Sequence, residues 1–117
     1  MQDFRRLLVW QKAHELVLQV YRISRDFPRE ELYGLTSQVR RSAASVPTNV
    51  AEGCGRGSDP DFARFLVMAM GSSSELEYQL LLSRDLAFLD TAMHQTLEAK
   101  VVEIKKMLTA LIRKVQK

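Results

Sequence analysis

Apolar residues recur along this chain at intervals of three and four, the spacing of one face of an α-helix, in four separate runs. In the first run Val9, Ala13, Leu16, Val17, Val20 and Phe27 share a side, and Gln11, Glu15, Gln19 and Arg22 take the other; Leu18 sits near the polar face. This predicts a first helix from about Val9 to Asp26. Phe27-Pro28 ends it, because the residue before a proline is pushed out of the α region.

In the second run Leu35, Val39, Ala43, Val46 and Val50 predict a helix from about Leu35 to Gly53 or a few residues beyond. Pro47 lies inside it. A proline there removes the hydrogen bond to the Ala43 carbonyl and pushes that carbonyl aside, so a kink or a break is expected. Gly53, Gly55 and Gly57 then end the helix. The third helix opens at Ser58-Asp59-Pro60-Asp61: Ser58 can cap the first amides, Asp59 and Asp61 suit the positive end of the helix dipole, and Pro60 is tolerated in a first turn. It should run to about Arg84. Phe62, Phe65, Leu66, Ala69, Leu76 and Leu80 form its main apolar face, while Val67, Met68, Tyr78 and Leu82 point elsewhere. A helix apolar on most sides needs more than one buried surface. The second is read as a subunit interface carried by Met68, Tyr78 and Leu82, the alternative being scattered surface hydrophobes.

The fourth helix is capped by Asp90 and reaches nearly to the end of the sequence. Leu97, Val101, Ile104, Leu108, Leu111 and Val115 form a heptad seam. Opposite it lie Lys106, Arg113 and Lys117, and Lys100, Lys105 and Lys114 flank it. Four amphipathic segments joined by short connections, with no period-2 strand pattern, predict an all-α protein: one domain over residues 1–117, an antiparallel up-down-up-down four-helix bundle.

Composition changes this picture little. The chain has 117 residues, 46% of them hydrophobic and 26% charged, ordinary values for a folded domain. A formal net charge of +3 permits nucleic-acid binding without demanding it. Cys54 stands alone, so no intrachain disulfide is possible and a reducing, cytoplasmic setting is the simplest expectation. The apolar stretch Leu7 to Trp10 is too short for a signal-peptide core, and no run of apolar residues is long enough to span a membrane.

Catalytic and metal chemistry find little footing. Di-iron bundles use Glu-x-x-His pairs; here Glu15, Glu52, Glu75 and Glu98 meet Leu18, Gly55, Tyr78 and Val101 three residues on. His14 and His94 are isolated and read as surface or satisfied histidines, so no metal and no cofactor is expected. Gly53-Cys54-Gly55-Arg56-Gly57 lacks the preceding strand and the Gly-Lys-Ser/Thr ending of a phosphate loop, so helix termination is the better reading, with an anion site beside Arg56 and Ser58 as the lesser one. The most informative local feature is polar. Glycine and serine in Gly71-Ser72-Ser73-Ser74 are weak mid-helix choices unless close packing or hydrogen bonding is wanted. Glu77 falls between Leu66 and Met70 on the wheel, so its carboxylate must find donors or shift its pKa. This predicts a packed polar contact between the second and third helices that draws on Asn49, Glu52, Ser72, Glu75 and Glu77. Read instead as an acid/base pair, Glu52 with Glu75 or Glu77 lacks a nucleophile.

These segments carry a resemblance. Val9-Trp10-Gln11-Lys12-Ala13, Phe27-Pro28, Tyr33-Gly34-Leu35, Gln38-Val39-Arg40-Arg41, Pro47 to Gly53, Gly71-Ser72 and Glu75-Leu76-Glu77 stand in an order and spacing that resembles a family of small bacterial four-helix-bundle proteins. The family is named for reading frames in intervening sequences of large-subunit ribosomal RNA, and it includes the accessory variability protein of diversity-generating retroelements. The resemblance implies a ring-shaped homopentamer, binding of nucleic acid through basic surface residues, partnership with a reverse transcriptase in the retroelement member, and no catalytic residues. The functional expectation is therefore a non-enzymatic homo-oligomer that binds structured RNA or DNA electrostatically, with Arg40, Arg41, Arg56, Lys106, Arg113, Lys114 and Lys117 as candidates. The alternative is a protein-interaction scaffold, such as a reverse transcriptase accessory subunit, without direct nucleic-acid binding.

Overall fold

The computed structural model describes residues 2–117; Met1 lies outside them. Among the described residues the long elements are α1 (Leu8–Ser24), α2 (Leu35–Cys54), α3 (Asp59–Asp85) and α4 (Thr91–Val115). They pack up-down-up-down into a bundle 43 × 23 × 20 Å. Its length matches the roughly 40 Å expected for the 27 residues of α3 at 1.5 Å each. The α2–α3 pairing is the most extensive and the α1–α4 pairing the sparsest.

The seams form the core. Val20, Val39, Val50, Leu66, Leu76, Leu80, Leu97 and Leu108 are fully buried. At the α4 terminus Leu111 and Val115 pack against this core only from its edge. Leu82, expected on the outer flank of α3, is half-buried against the core instead, whereas Val67, Met68 and Tyr78 are exposed. Buried polar side chains interrupt the apolar seams, among them Ser42 on α2 and Ser73, Gln79 and Ser83 on α3. Ser73 and Ser83 donate to the carbonyls of Ala69 and Gln79 one turn back, at 2.9 and 2.8 Å, so burial leaves neither hydroxyl unpaired.

The helix ends follow local chemistry. Ser58 Oγ accepts from the Asp61 amide at 3.3 Å and Asp90 Oδ1 from the Met93 amide at 2.7 Å. Two short 3-10 turns that periodicity cannot reveal, Phe4–Arg6 and Arg29–Glu31, precede α1 and α2. Phe4 from the first lies edge-on against Trp10, 4.9 Å between centroids. α3 closes with Ala87 at φ 64, its amide bonded to Arg84 O and that of Phe88 to Ser83 O, a Schellman closure made without the usual glycine. α2 is continuous through Pro47, so the chain does not break there.

At Gly53 the backbone of α2 packs tightly against α3. A Cβ at this position would lie 2.9 Å from Phe65 Cβ and 3.0 Å from Phe62 Cδ1. Alanine gains about 0.8–1 kcal/mol in helix propensity over glycine, but overpacking against a side-chain root costs about 1–3 kcal/mol. Gly53→Ala should therefore lower stability in urea unfolding, despite the better helix former; an unchanged or raised midpoint would contradict the packing argument.

Candidate nucleic-acid interface and the polar seam

The residues singled out from the sequence separate into two groups. The first is the polar contact between α2 and α3. Ser42 Oγ donates to Glu75 Oε1 at 2.9 Å, and the Ser45 and Ser72 hydroxyls pair at 2.8 Å. Asn49 Nδ2 donates to Ser45 O and Ser45 Oγ at 2.8 and 3.0 Å, so it reaches the contact through its own helix. Glu77 is not brought into this group. Its Oε1 accepts from Lys105 Nζ of α4 at 2.8 Å, with both side chains about one-third exposed. Glu52 is also elsewhere, paired with Arg56 one turn on at 3.0 Å. The three carboxylates considered as acid/base partners are thus tied to three different groups.

Ser42 and Ser45, which make the cross-helix bonds on the α2 side, lie outside the segments that periodicity singled out. The signal available was their i, i+3 spacing from one another on a helix that faces Gly71-Ser72. His94 also departs from expectation. It is 2% exposed, neither ring nitrogen has a hydrogen-bond partner among the described residues, and Glu98 Oε2 is 3.9 Å away. His14 is exposed and stacked on Trp10, 5.1 Å between ring centroids.

The second group is the basic residues, and the fold sorts them. Arg40 is held within the bundle. Its Nε donates to Ser24 Oγ at 2.8 Å, its Nη2 to Tyr21 O at 3.4 Å, and its guanidinium lies 4.9 Å from the Tyr21 ring. Arg56 is held by Glu52 and covers Phe65 at 4.8 Å. Arg41 is exposed beside the polar contact. Lys106, Arg113, Lys114 and Lys117 are exposed, and among the described residues none of them makes an ion pair. Lys106 and Arg113 border a shallow groove of about 400 Å³ between α3 and α4, with Met70, Thr109 and Ala110 in its walls.

Charge is unevenly placed. Five of the 17 lysines and arginines lie between Ile104 and Lys117, where there is no Asp or Glu. The other 12 face all 14 acidic residues elsewhere, so the net charge of +3 comes wholly from this segment. The negative end of the helix dipole accounts for Arg113 and Lys114 in the last turn. It does not account for Lys106, which lies well before that turn.

An antiparallel four-helix bundle with one long helix ending in an exposed basic face is the class these features define. The chain matches the model of the 23S rRNA-intervening sequence protein family over residues 5–110, and it belongs to that family. In fold it is similar to the crystal structure of a protein of unknown function from the S23 ribosomal protein family of Bacteroides thetaiotaomicron. That likeness has a TM-score of 0.83 at 24% identity and covers 90% of this chain and 98% of that one. Comparison with curated proteins gave no match. Among the described residues no helix is long and apolar enough to cross a membrane.

Two outcomes follow from these placements. Arg40→Ala should cost about 1–2 kcal/mol of stability by removing a hydrogen-bonded, ring-stacked guanidinium; an unchanged urea midpoint would show that these contacts do not hold α2 to α1. Burial, with a smaller contribution from Asp3, pushes the Cys54 thiol above its ordinary pKa. The native state then keeps a proton that the unfolded chain loses, so this group's contribution to stability falls as pH rises through the ordinary thiol range. Iodoacetamide at pH 8 should alkylate native Cys54 at least about tenfold more slowly than the unfolded chain; equal rates would contradict its burial.

Proposed function

We propose that this protein acts without catalysis, as a self-associating helical module that binds structured RNA or DNA through the C-terminal half of α4. The observation that carries this is the exposed, unpaired set Lys106, Arg113, Lys114 and Lys117 on a segment that supplies the whole net charge. Lys106 to Lys114 spans about 12 Å of helix at 1.5 Å per residue, with Lys117 just past the end of α4, long enough to meet several phosphates of one strand. The family's name points to an RNA context, that of 23S rRNA intervening sequences. A ring of subunits, as the family resemblance implies, would multiply a modest basic stripe through multivalency.

Self-association has its own support on α3. Val67, Met68 and Tyr78 are 51%, 46% and 61% exposed, and between them Gly71 has open space where a Cβ would be. Nothing within the chain requires a glycine mid-helix at a cost of about 1 kcal/mol; a neighbouring subunit packed close to this face would. Leu82 contributes from its half-buried position. In the same reading α2 bends at Pro47, as a proline ring crowding the Ala43 carbonyl would require. The same apolar face favours the second reading, a scaffold for a protein partner such as a reverse transcriptase.

Charge reversal separates the readings. The triple variant Lys106→Glu, Arg113→Glu, Lys117→Glu should lose retention of a structured RNA in low-salt filter binding and keep the wild-type sedimentation coefficient. Wild-type binding should weaken steeply with salt, with a log–log slope of about −0.7 to −0.9 per phosphate neutralised. Undiminished retention by the triple variant, or none by the wild type, would leave the scaffold reading in its place.

A further inference from the structure

The polar contact between α2 and α3 opens onto a groove of about 460 Å³ that the basic end of α4 does not share. Its lining is Gln38, Arg41, Ser42, Ser45, Glu75 and Gln79. Two charges of opposite sign line this groove without pairing with one another, and neither has another ionic partner among the described residues. Glu75 uses Oε1 to accept from Ser42 and retains Oε2. Gln79 is 7% exposed, and its Oε1 is buried without a hydrogen-bond partner. That oxygen is closed to solvent, so the polar groups the groove presents are those of Arg41, Glu75 and Gln38.

We infer that this groove takes one unpaired guanine nucleotide of a bound RNA, an inference that rests on the RNA-binding reading above. The vacant hydrogen-bonding positions decide the ligand's chemistry. Arg41 offers only donors, and it suits an anion such as a phosphate. The Glu75 carboxylate, exposed in the groove, offers only acceptors on two adjacent oxygens, so it calls for adjacent N–H donors. A nucleotide carries both kinds of group. Among the bases, guanine presents two neighbouring N–H donors, N1–H and the N2 amino group, on its Watson–Crick edge, and this is the edge that proteins read in unpaired RNA. Cytosine and adenine offer only an amino group to a carboxylate, and uracil only one N–H. The helices hold the reading groups in place: Ser42 fixes the Glu75 carboxylate, and Ser45 and Ser72 lock α2 to α3 beside it.

The test is fluorescence anisotropy with RNA hairpins that differ in one unpaired loop nucleotide, supplemented by free GMP as competitor. The guanine hairpin should bind about tenfold more tightly than the other three, the discrimination expected of one bidentate pair. Glu75→Gln, which can still accept from Ser42, should bring the guanine hairpin to the same affinity as the other three. The Lys106, Arg113, Lys117 charge reversal should do the converse, lowering affinity for all four hairpins alike. Competition by GMP only at far higher concentration would support a site that reads guanine within RNA, and equal competition would overturn it in favour of a free nucleotide site. Equal binding of all four hairpins, unaffected by Glu75→Gln, would overturn the groove assignment while sparing the basic surface. A changed sedimentation coefficient in Glu75→Gln would overturn it in favour of a subunit contact, and no RNA binding by the wild type would overturn both.

Discussion

The close approach of α2 to α3 is the constraint on which the rest of the bundle depends. Gly53 brings the backbone of α2 against the roots of Phe62 and Phe65. Farther along the same seam, small side chains keep the helices near enough for hydroxyls to bond across, Ser45 to Ser72 and Ser42 to Glu75. Larger residues at these places would hold the helices apart and leave the polar groups half-satisfied, which is worse than having none. With α2 and α3 fixed, α1 docks on α2 and α4 on α3. The tie between α1 and α4 is sparser, helped by Lys100 on Gln19 and Lys12 on Glu103. The most tightly specified pair thus sets the frame, and α4 presents its basic half from that frame.

Much of this was legible in the sequence because helical periodicity is a backbone property that side-chain detail seldom overrides. The heptad seam of α4 and the cap at Asp90 place that helix, and the limits of α2 and α3 fall within a residue or two of those expected. The Pro47 helix continues where a break was one of two expectations, since α2 is packed on both sides and tertiary contacts outweigh one lost hydrogen bond. The turn at Ala87 left no signature, because an alanine stands where glycine would have announced it.

The polar partners were less legible, for a physical reason. A wheel gives the direction in which a side chain leaves its helix; it does not say which long side chain of a neighbouring helix will arrive there. Glu77 indeed needed a donor, and the donor came as Lys105 from α4 rather than Asn49 from α2. Arg40 and Arg41 are neighbours in sequence, yet one is stitched to α1 through Ser24 and Tyr21 and the other is exposed. Composition alone, at +3, says little; the distribution of that charge along one exposed helical face says more. That face, on a member of the 23S rRNA-intervening sequence protein family, is what carries the functional reading.

The most direct test is to locate bound RNA on the protein by amide chemical-shift mapping, titrating a short RNA hairpin at low salt. The account predicts that the largest shifts cluster on the C-terminal half of α4 and the residues just after it, from Lys105 to Lys117, and fade as salt is raised. Shifts confined to the Val67–Tyr78 face of α3, or no shifts at all, would contradict it.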